Sequence, residues 1–250
     1  MKKHISFLIA FLSAFLGFAQ APDSLTAANG FYQAEQYESA IRSYESIVEK
    51  GYSSEALFYN LGNAYYKNGQ IARSILNYER ALLLDPNDED VIQNLSIANL
   101  STVDRFEKLP QPLIRAAYQG FFKALTPANW SVVALLFLLF SLGAAYVYFF
   151  TSKRRLGFTA ALVSFLLFGL SLAMAYQHQS YRENNQAAIV LNASVYAKSG
   201  PSAKAEDVFI LHEGTKLLVI ETFEDWKKTR LPDGKIGWLP MGSIEQVDLD

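Results

Sequence analysis

The chain has 250 residues, enough for two small domains plus membrane segments, and its net charge of −2 gives no reason to expect nucleic-acid binding. It contains no cysteine, which excludes a disulfide framework, a thiolate nucleophile and a cysteine metal site. Hydrophobic content is 51%, but two long apolar runs raise that average, so it misdescribes the remainder.

Residues 1–20 have the layout of a secretory signal peptide. Lys2, Lys3 and His4 form a basic start, Ile5 to Phe18 an apolar core, and Gly17, Ala19 and Ala21 supply small residues for cleavage. Cleavage after Ala19 or Ala21 and retention as an uncleaved anchor are both open. Either sends the following segment across a membrane.

Residues 22–105 contain an internal repeat. A shift of 34 residues superimposes Ala28 on Gly62, Asn29 on Asn63, Phe31 on Tyr65 and Tyr44 on Tyr78. That period resembles tetratricopeptide repeats, which are helix-turn-helix units. The second unit, Glu55 to Asp88, places Phe58, Leu61, Gly62, Tyr65, Tyr78, Ala81 and Pro86 on the family's signature positions, with Ser74 where alanine is usual. The first unit is weaker, and a third first-helix follows from Glu89 to Ser101. Small residues such as Ala28, Ala40, Gly62 and Ala81 let paired helices approach, while aromatics fill the gaps. Gly51 and Gly69 mark helix ends and Pro86 opens the next connection. One repeat cannot bury its own apolar face, so an array this short needs a partner or another part of the chain as its cap.

The resemblance implies a concave face that holds extended peptides or helices. Asn29, Asn60, Asn63 and Asn94 fall in two rows at the repeat spacing, and their amides offer a peptide backbone both donor and acceptor. Leu25, Tyr59 and Asp90 stand where a carboxylate clamp needs cations, so that version of the groove is not expected. The segment carries 12 acidic and 6 basic side chains, a net −6, which favours a basic or neutral partner.

Residues 106–128 connect the repeats to the apolar runs. After Pro110 and Pro112, apolar residues from Leu113 to Leu125 recur at helical spacing. An amphipathic helix on a membrane surface and a cap on the last repeat both fit.

Residues 130–150 and 156–176 hold no charged side chain. At 1.5 Å rise each run reaches roughly 30 Å, the thickness of a bilayer core, so two transmembrane helices are expected. The joining loop, residues 151–155, carries Lys153, Arg154 and Arg155, which favours the cytoplasmic side and leaves both flanking regions periplasmic. Gly143, Ala144, Ala145 and Gly169 are candidates for close helix contact. The runs lack the ionisable groups that transport pathways need, so they read as an anchor. Residues 177–185 are polar and read as a linker, where His178 lacks a second metal ligand nearby.

Residues 186–250 change to short β-rich runs at Ala187–Leu191, Val208–Leu211, Lys216–Thr222, Trp226–Arg230 and Ile236–Leu239, separated by turn signals. Ser199-Gly200-Pro201-Ser202, the turn and strand from His212 to Glu221, Asp225 to Leu231 around Trp226, and Gly234 to Pro240 around Trp238 resemble the bacterial SH3-like family. A small closed all-β barrel is therefore expected. Such barrels bind peptides, cell-wall fragments or a neighbouring protein. Tyr196, Trp226, Trp238 and Pro240 are the candidates to line a cleft, although both tryptophans also suit the barrel's own packing.

The order of signal, repeats, two spans and SH3-like domain resembles the BatE-type family of the Bacteroides aerotolerance operon. That resemblance implies an envelope protein of the bacterial inner membrane. Its implied partners are membrane-anchored von Willebrand A-domain proteins and a MoxR-type ATPase system, in oxidative or envelope stress. The sequence carries no nucleophile–base set, phosphate loop or metal cluster, so neither an enzyme nor a cofactor is expected. A scaffold whose repeats and SH3-like domain each hold a partner is the first expectation. An envelope sensor reading a cell-wall or peptide ligand is the second.

Overall fold

A computed structural model describes residues 23–106, 120–121, 125–183 and 186–249. The expected signal peptide and most of the connecting segment, including the choice between membrane-surface helix and cap, lie outside these residues.

Five helices build the repeat region: α1 Asp23–Gln33, α2 Tyr37–Glu49, α3 Glu55–Lys67, α4 Ile71–Leu84 and α5 Glu89–Leu100. Their ends have local causes. Ser54 Oγ accepts the Leu57 N–H at the start of α3, and Asp88 Oδ1 accepts the Val91 N–H at the start of α5. Gly51 and Gly69 adopt φ of +81° and +79°, the left-handed conformation in which glycine ends a helix without a Cβ penalty. At Gly62 a Cβ would come within 2.7 Å of the Tyr78 ring, so the missing side chain lets α4 seat that ring on α3. Large side chains fill the core between helices, among them Tyr44, Phe58, Leu76 and Tyr78.

Helices α6, Pro127–Phe150, and α7, Arg154–Glu183, pair as a hairpin, and both contain segments long and apolar enough to cross a membrane. The seam between them is made mostly of small residues. Gly157, Ser164, Ser171 and His178 are buried along α7 at seven-residue spacing, and Ala134, Ser141 and Ala144 face them from α6. Ser141 Oγ donates to the Ala161 carbonyl at 3.0 Å. A Cβ on Gly157 would lie 2.5 Å from the Tyr148 nitrogen. Of the expected contact residues Ala144 is in the seam, whereas Gly143 and Gly169 face open space. The expected linker is helical as far as Glu183, because the seam's seven-residue period runs on through His178, which is 3% exposed.

Seven strands form one antiparallel sheet: β1 Ala187–Val190, β2 Ser194–Lys198, β3 Asp207–His212, β4 Lys216–Phe223, β5 Trp226–Arg230, β6 Ile236–Pro240 and β7 Ile244–Gln246. The order is β3-β2-β6-β5-β4-β1-β7. Inward residues of β2, β4 and β6, such as Val195, Ala197, Leu217, Val219 and Leu239, build its core with Ala188 and Val190. Among the described residues the sheet does not close into the expected barrel: β3 and β7 each pair with a strand on one side only.

The repeats supply what closure would have supplied. All four residues of β1 are buried. Ala188 and Val190 face the sheet's own core, while Ala187 and Ile189 join a core shared with Phe58, Ile75, Leu76 and Val91 of the repeats. On the β7 side, Arg80 of α4 bonds Glu245 at 3.0 Å and the Asp248 carbonyl at 2.9 Å. Phe106, after α5, also packs against the sheet's core. Repeats and sheet are one packed body.

Candidate partner-binding surfaces

Three places in this body gather polar or aromatic side chains, and the first two hold the residues expected to meet a partner. The first is the row of asparagines. Tyr44 Oη donates to Asn29 Oδ1 at 2.6 Å, and Asn60 Nδ2 donates to the same oxygen at 3.2 Å. One repeat later, Tyr78 Oη and Asn94 Nδ2 donate to Asn63 Oδ1 at 2.7 and 2.9 Å. Asn94 Nδ2 also reaches Tyr59 Oη at 3.1 Å. Burial pushes the Tyr44 and Tyr78 hydroxyls up to about 12, so both stay protonated donors at neutral pH. The four asparagines thus form a ladder that ties each first-helix to the next. Both lone pairs of the Asn29 and Asn63 oxygens are engaged inside the array, which leaves a peptide fewer amide groups than the spacing suggests. Beside the ladder, Ile97 and Leu100 of α5 are exposed.

The second place is the outer face of the sheet. Trp226 and Pro240 are direct cross-strand partners, Trp238 lies two residues before Pro240 on the same face, and Lys198 of β2 pairs with Trp238. Tyr196 stands two residues from Lys198, again on that face, and is exposed. Strand alternation therefore gathers all four expected residues on one surface. Lys228 Nζ sits 5.6 Å from the Trp238 ring centre, a cation–π distance. Neither tryptophan belongs to the sheet's buried core.

The third place escaped sequence reasoning. Asp104, just after α5, clasps the β3–β4 turn. Its Oδ2 accepts the His212 N–H at 2.7 Å and the Thr215 hydroxyl at 2.6 Å, and its Oδ1 lies 2.8 Å from His212 Nδ1. Burial pushes this carboxyl up, but the bonds from Thr215 and His212 together outweigh it and hold it below the ordinary carboxylate range. Gly214 takes φ +83° there, with no room for a Cβ against Thr102. Lys216 Nζ adds an ion pair to Glu79 of α4 at 2.5 Å. An aspartate and a histidine 108 residues apart give no sequence signal of contact. The one available signal was Ala187-Ala188-Ile189-Val190, a continuous apolar run where a one-faced strand would alternate.

At the open end of the array an open hollow of about 420 Å³ lies between α1 and α2. Ser24, Ala27 and Arg42 line it where the next repeat places Phe58, Leu61 and Leu76, the substitution expected of a terminal face that meets water. Among the described residues, no three His, Asp or Glu side chains converge to hold a metal.

No curated protein matches this chain. The tetratricopeptide repeat family matches residues 56–88, the unit built from α3 and α4, and with the two apolar helices and the antiparallel sheet that match defines the chain's architecture.

Proposed function

We propose that the protein is a non-enzymatic scaffold of the bacterial inner membrane, built to hold protein partners on a rigid periplasmic body. The observation that carries this reading is the shared core, which fixes a repeat array and an aromatic sheet face in one geometry. Repeat arrays of this kind are protein-binding platforms. The aromatic face of Tyr196, Trp226, Trp238 and Pro240 suits apolar or proline-rich segments, since flat rings present large area at low entropic cost. The BatE-type resemblance adds the setting: von Willebrand A-domain proteins and a MoxR-type ATPase as partners, in aerotolerance or envelope stress. The SH3-like resemblance adds a cell-wall fragment as an alternative ligand, the basis of the sensor reading.

Contact between the regions before and after the hairpin supports an even number of crossings, and the basic loop supports a cytoplasmic turn. The cysteine-free chain makes this testable. An impermeant thiol reagent is expected to label Ser202→Cys in spheroplasts and to miss Ser152→Cys; the reverse pattern refutes the orientation.

Deleting either region would strip the shared core, so the scaffold is tested by surface substitutions. Full-length chains carrying Ile97→Asp with Leu100→Asp, or Tyr196→Ala with Trp226→Ala, are crosslinked in native membranes and captured. Loss of a different partner from each pair supports two binding faces. Unchanged capture by both removes the repeats and the sheet as recruiting surfaces. Partner affinity that changes on adding cell-wall fragments favours the sensor.

A further inference from the structure

Among the described residues, the β3 edge of the sheet is covered at one end only. The His212 N–H points away from β2 and is taken by Asp104 at 2.7 Å. Backbone groups alternate sides along a strand, so the N–H and C=O of Ile210 face the same open side. There β3 has no second strand, and among the described residues nothing bonds the Ile210 backbone on that side. The side chains beside this edge are apolar: Val208 is 53% exposed, Ile210 40%, and Tyr196, paired with Ile210 across β2, 55%. Edges left open to water are usually guarded by lysine or proline, and Asp-Val-Phe-Ile-Leu-His contains neither. A register shift at Ala197/Lys198 keeps the open run short.

We propose that this edge receives an extended segment of a protein partner, which adds as a short eighth strand. Its apolar residues, at alternate positions, would lie over Val208, Ile210 and Tyr196 while its backbone pairs with Ile210. Charge selects the flanks. Glu206 and Glu213 are exposed at the two ends of β3, whereas Asp207 is already paired with Lys198 at 2.5 Å. The segment therefore carries cations at its ends. The same acids argue against a second copy, because antiparallel self-pairing would bring Glu206 toward Glu213. The site continues an existing contact, since Asp104 already bonds the neighbouring position of the edge.

The inference rests on the scaffold reading only in taking the partner to be a protein. It is tested with the full chain in nanodiscs and a fluorescent peptide, Lys-Val-Thr-Val-Thr-Val-Lys, alongside a twin N-methylated at alternate residues. Saturable binding is expected for the first peptide and binding at least about tenfold weaker for the twin, which has lost pairing donors. Ile210→Pro removes the open donor where an edge strand tolerates proline, and Ile210→Lys installs a guard. Each is expected to weaken binding by at least about tenfold with the melting temperature of Ile210→Lys unchanged. No saturable binding, equal binding of the twin, or unchanged binding by Ile210→Lys overturns the proposal. So does self-association that Ile210→Lys abolishes, which would assign the edge to a second copy. Failure of the titration removes the edge alone; unchanged capture by the surface variants removes the scaffold and leaves the titration standing.

Discussion

The repeat–sheet body and the helical hairpin are packed on opposite rules. In the body the buried side chains are large, such as Tyr44, Phe58, Leu76 and Ile189, and the exposed ones mostly polar. In the hairpin the buried ones between Trp130 and His178 near its open end are small, Ala134, Ser141, Ala144, Ser164 and Ser171, while Phe140, Phe149 and Leu166 stand outside. Burying a large apolar side chain stabilises only where the alternative is water. Between two helices in hydrocarbon that gain is absent, and close backbone approach through small residues takes its place. The hairpin's small-residue seam and large apolar exterior are the packing that the proposed membrane setting calls for.

The contrast is broken most directly at Ile189, which is fully buried between sheet and repeats. Ile189→Ala is expected to cost about 2–5 kcal/mol in denaturant unfolding and to loosen both regions together. If repeats and sheet then unfold in separate transitions, the shared core is not their link. Next is Gly157→Val in the seam, where overpacking is expected to cost about 1–3 kcal/mol. In membranes it should lower the disulfide yield of a Ser141→Cys, Ala161→Cys pair, while Gly143→Val, in open space, should leave the yield unchanged.

Asn29→Ala leaves the Tyr44 hydroxyl and the Asn60 amide short of an acceptor, and about 1–3 kcal/mol of repeat stability should be lost in thermal melts. Asp104→Asn probes the clasp more gently, at about 1–2 kcal/mol, and adds a pH signature. Because the folded pKa of Asp104 is lowered, its contribution is complete above the ordinary carboxylate value of about 3.9 and disappears as pH falls through the folded value. The wild-type chain should lose this part of its stability on acidification, and Asp104→Asn should flatten that dependence. Smallest of all, Leu166→Ala on the hairpin's outer face, where Leu166 is 64% exposed, should change folding stability by less than about 0.5 kcal/mol.

Local rules made much of this legible. The 34-residue shift located the repeats, and the same shift maps the Tyr44–Asn29–Asn60 bonds onto Tyr78–Asn63–Asn94. Two strands were not read. In β2, Ser194-Val195-Tyr196-Ala197-Lys198 alternates but is short, and β7 is only Ile244-Glu245-Gln246. Both depend on neighbours: β7 pairs along β1, and β2 holds one cross-strand pair with β6 at Lys198 and Trp238.

By itself, then, the sequence determined the helical period of the repeats, the two apolar runs and the alternation of the strands that carry Trp226 and Trp238. These follow from spacing of 3.6 or 2 residues, which a chain carries locally. Tertiary structure alone decided that the sheet stays open, that β1 is buried on both faces, and that Arg80 and Asp104 cover its edges. Those outcomes depend on which distant surfaces meet: an unpaired strand edge and a bare repeat face are each costly in water, and here each relieves the other.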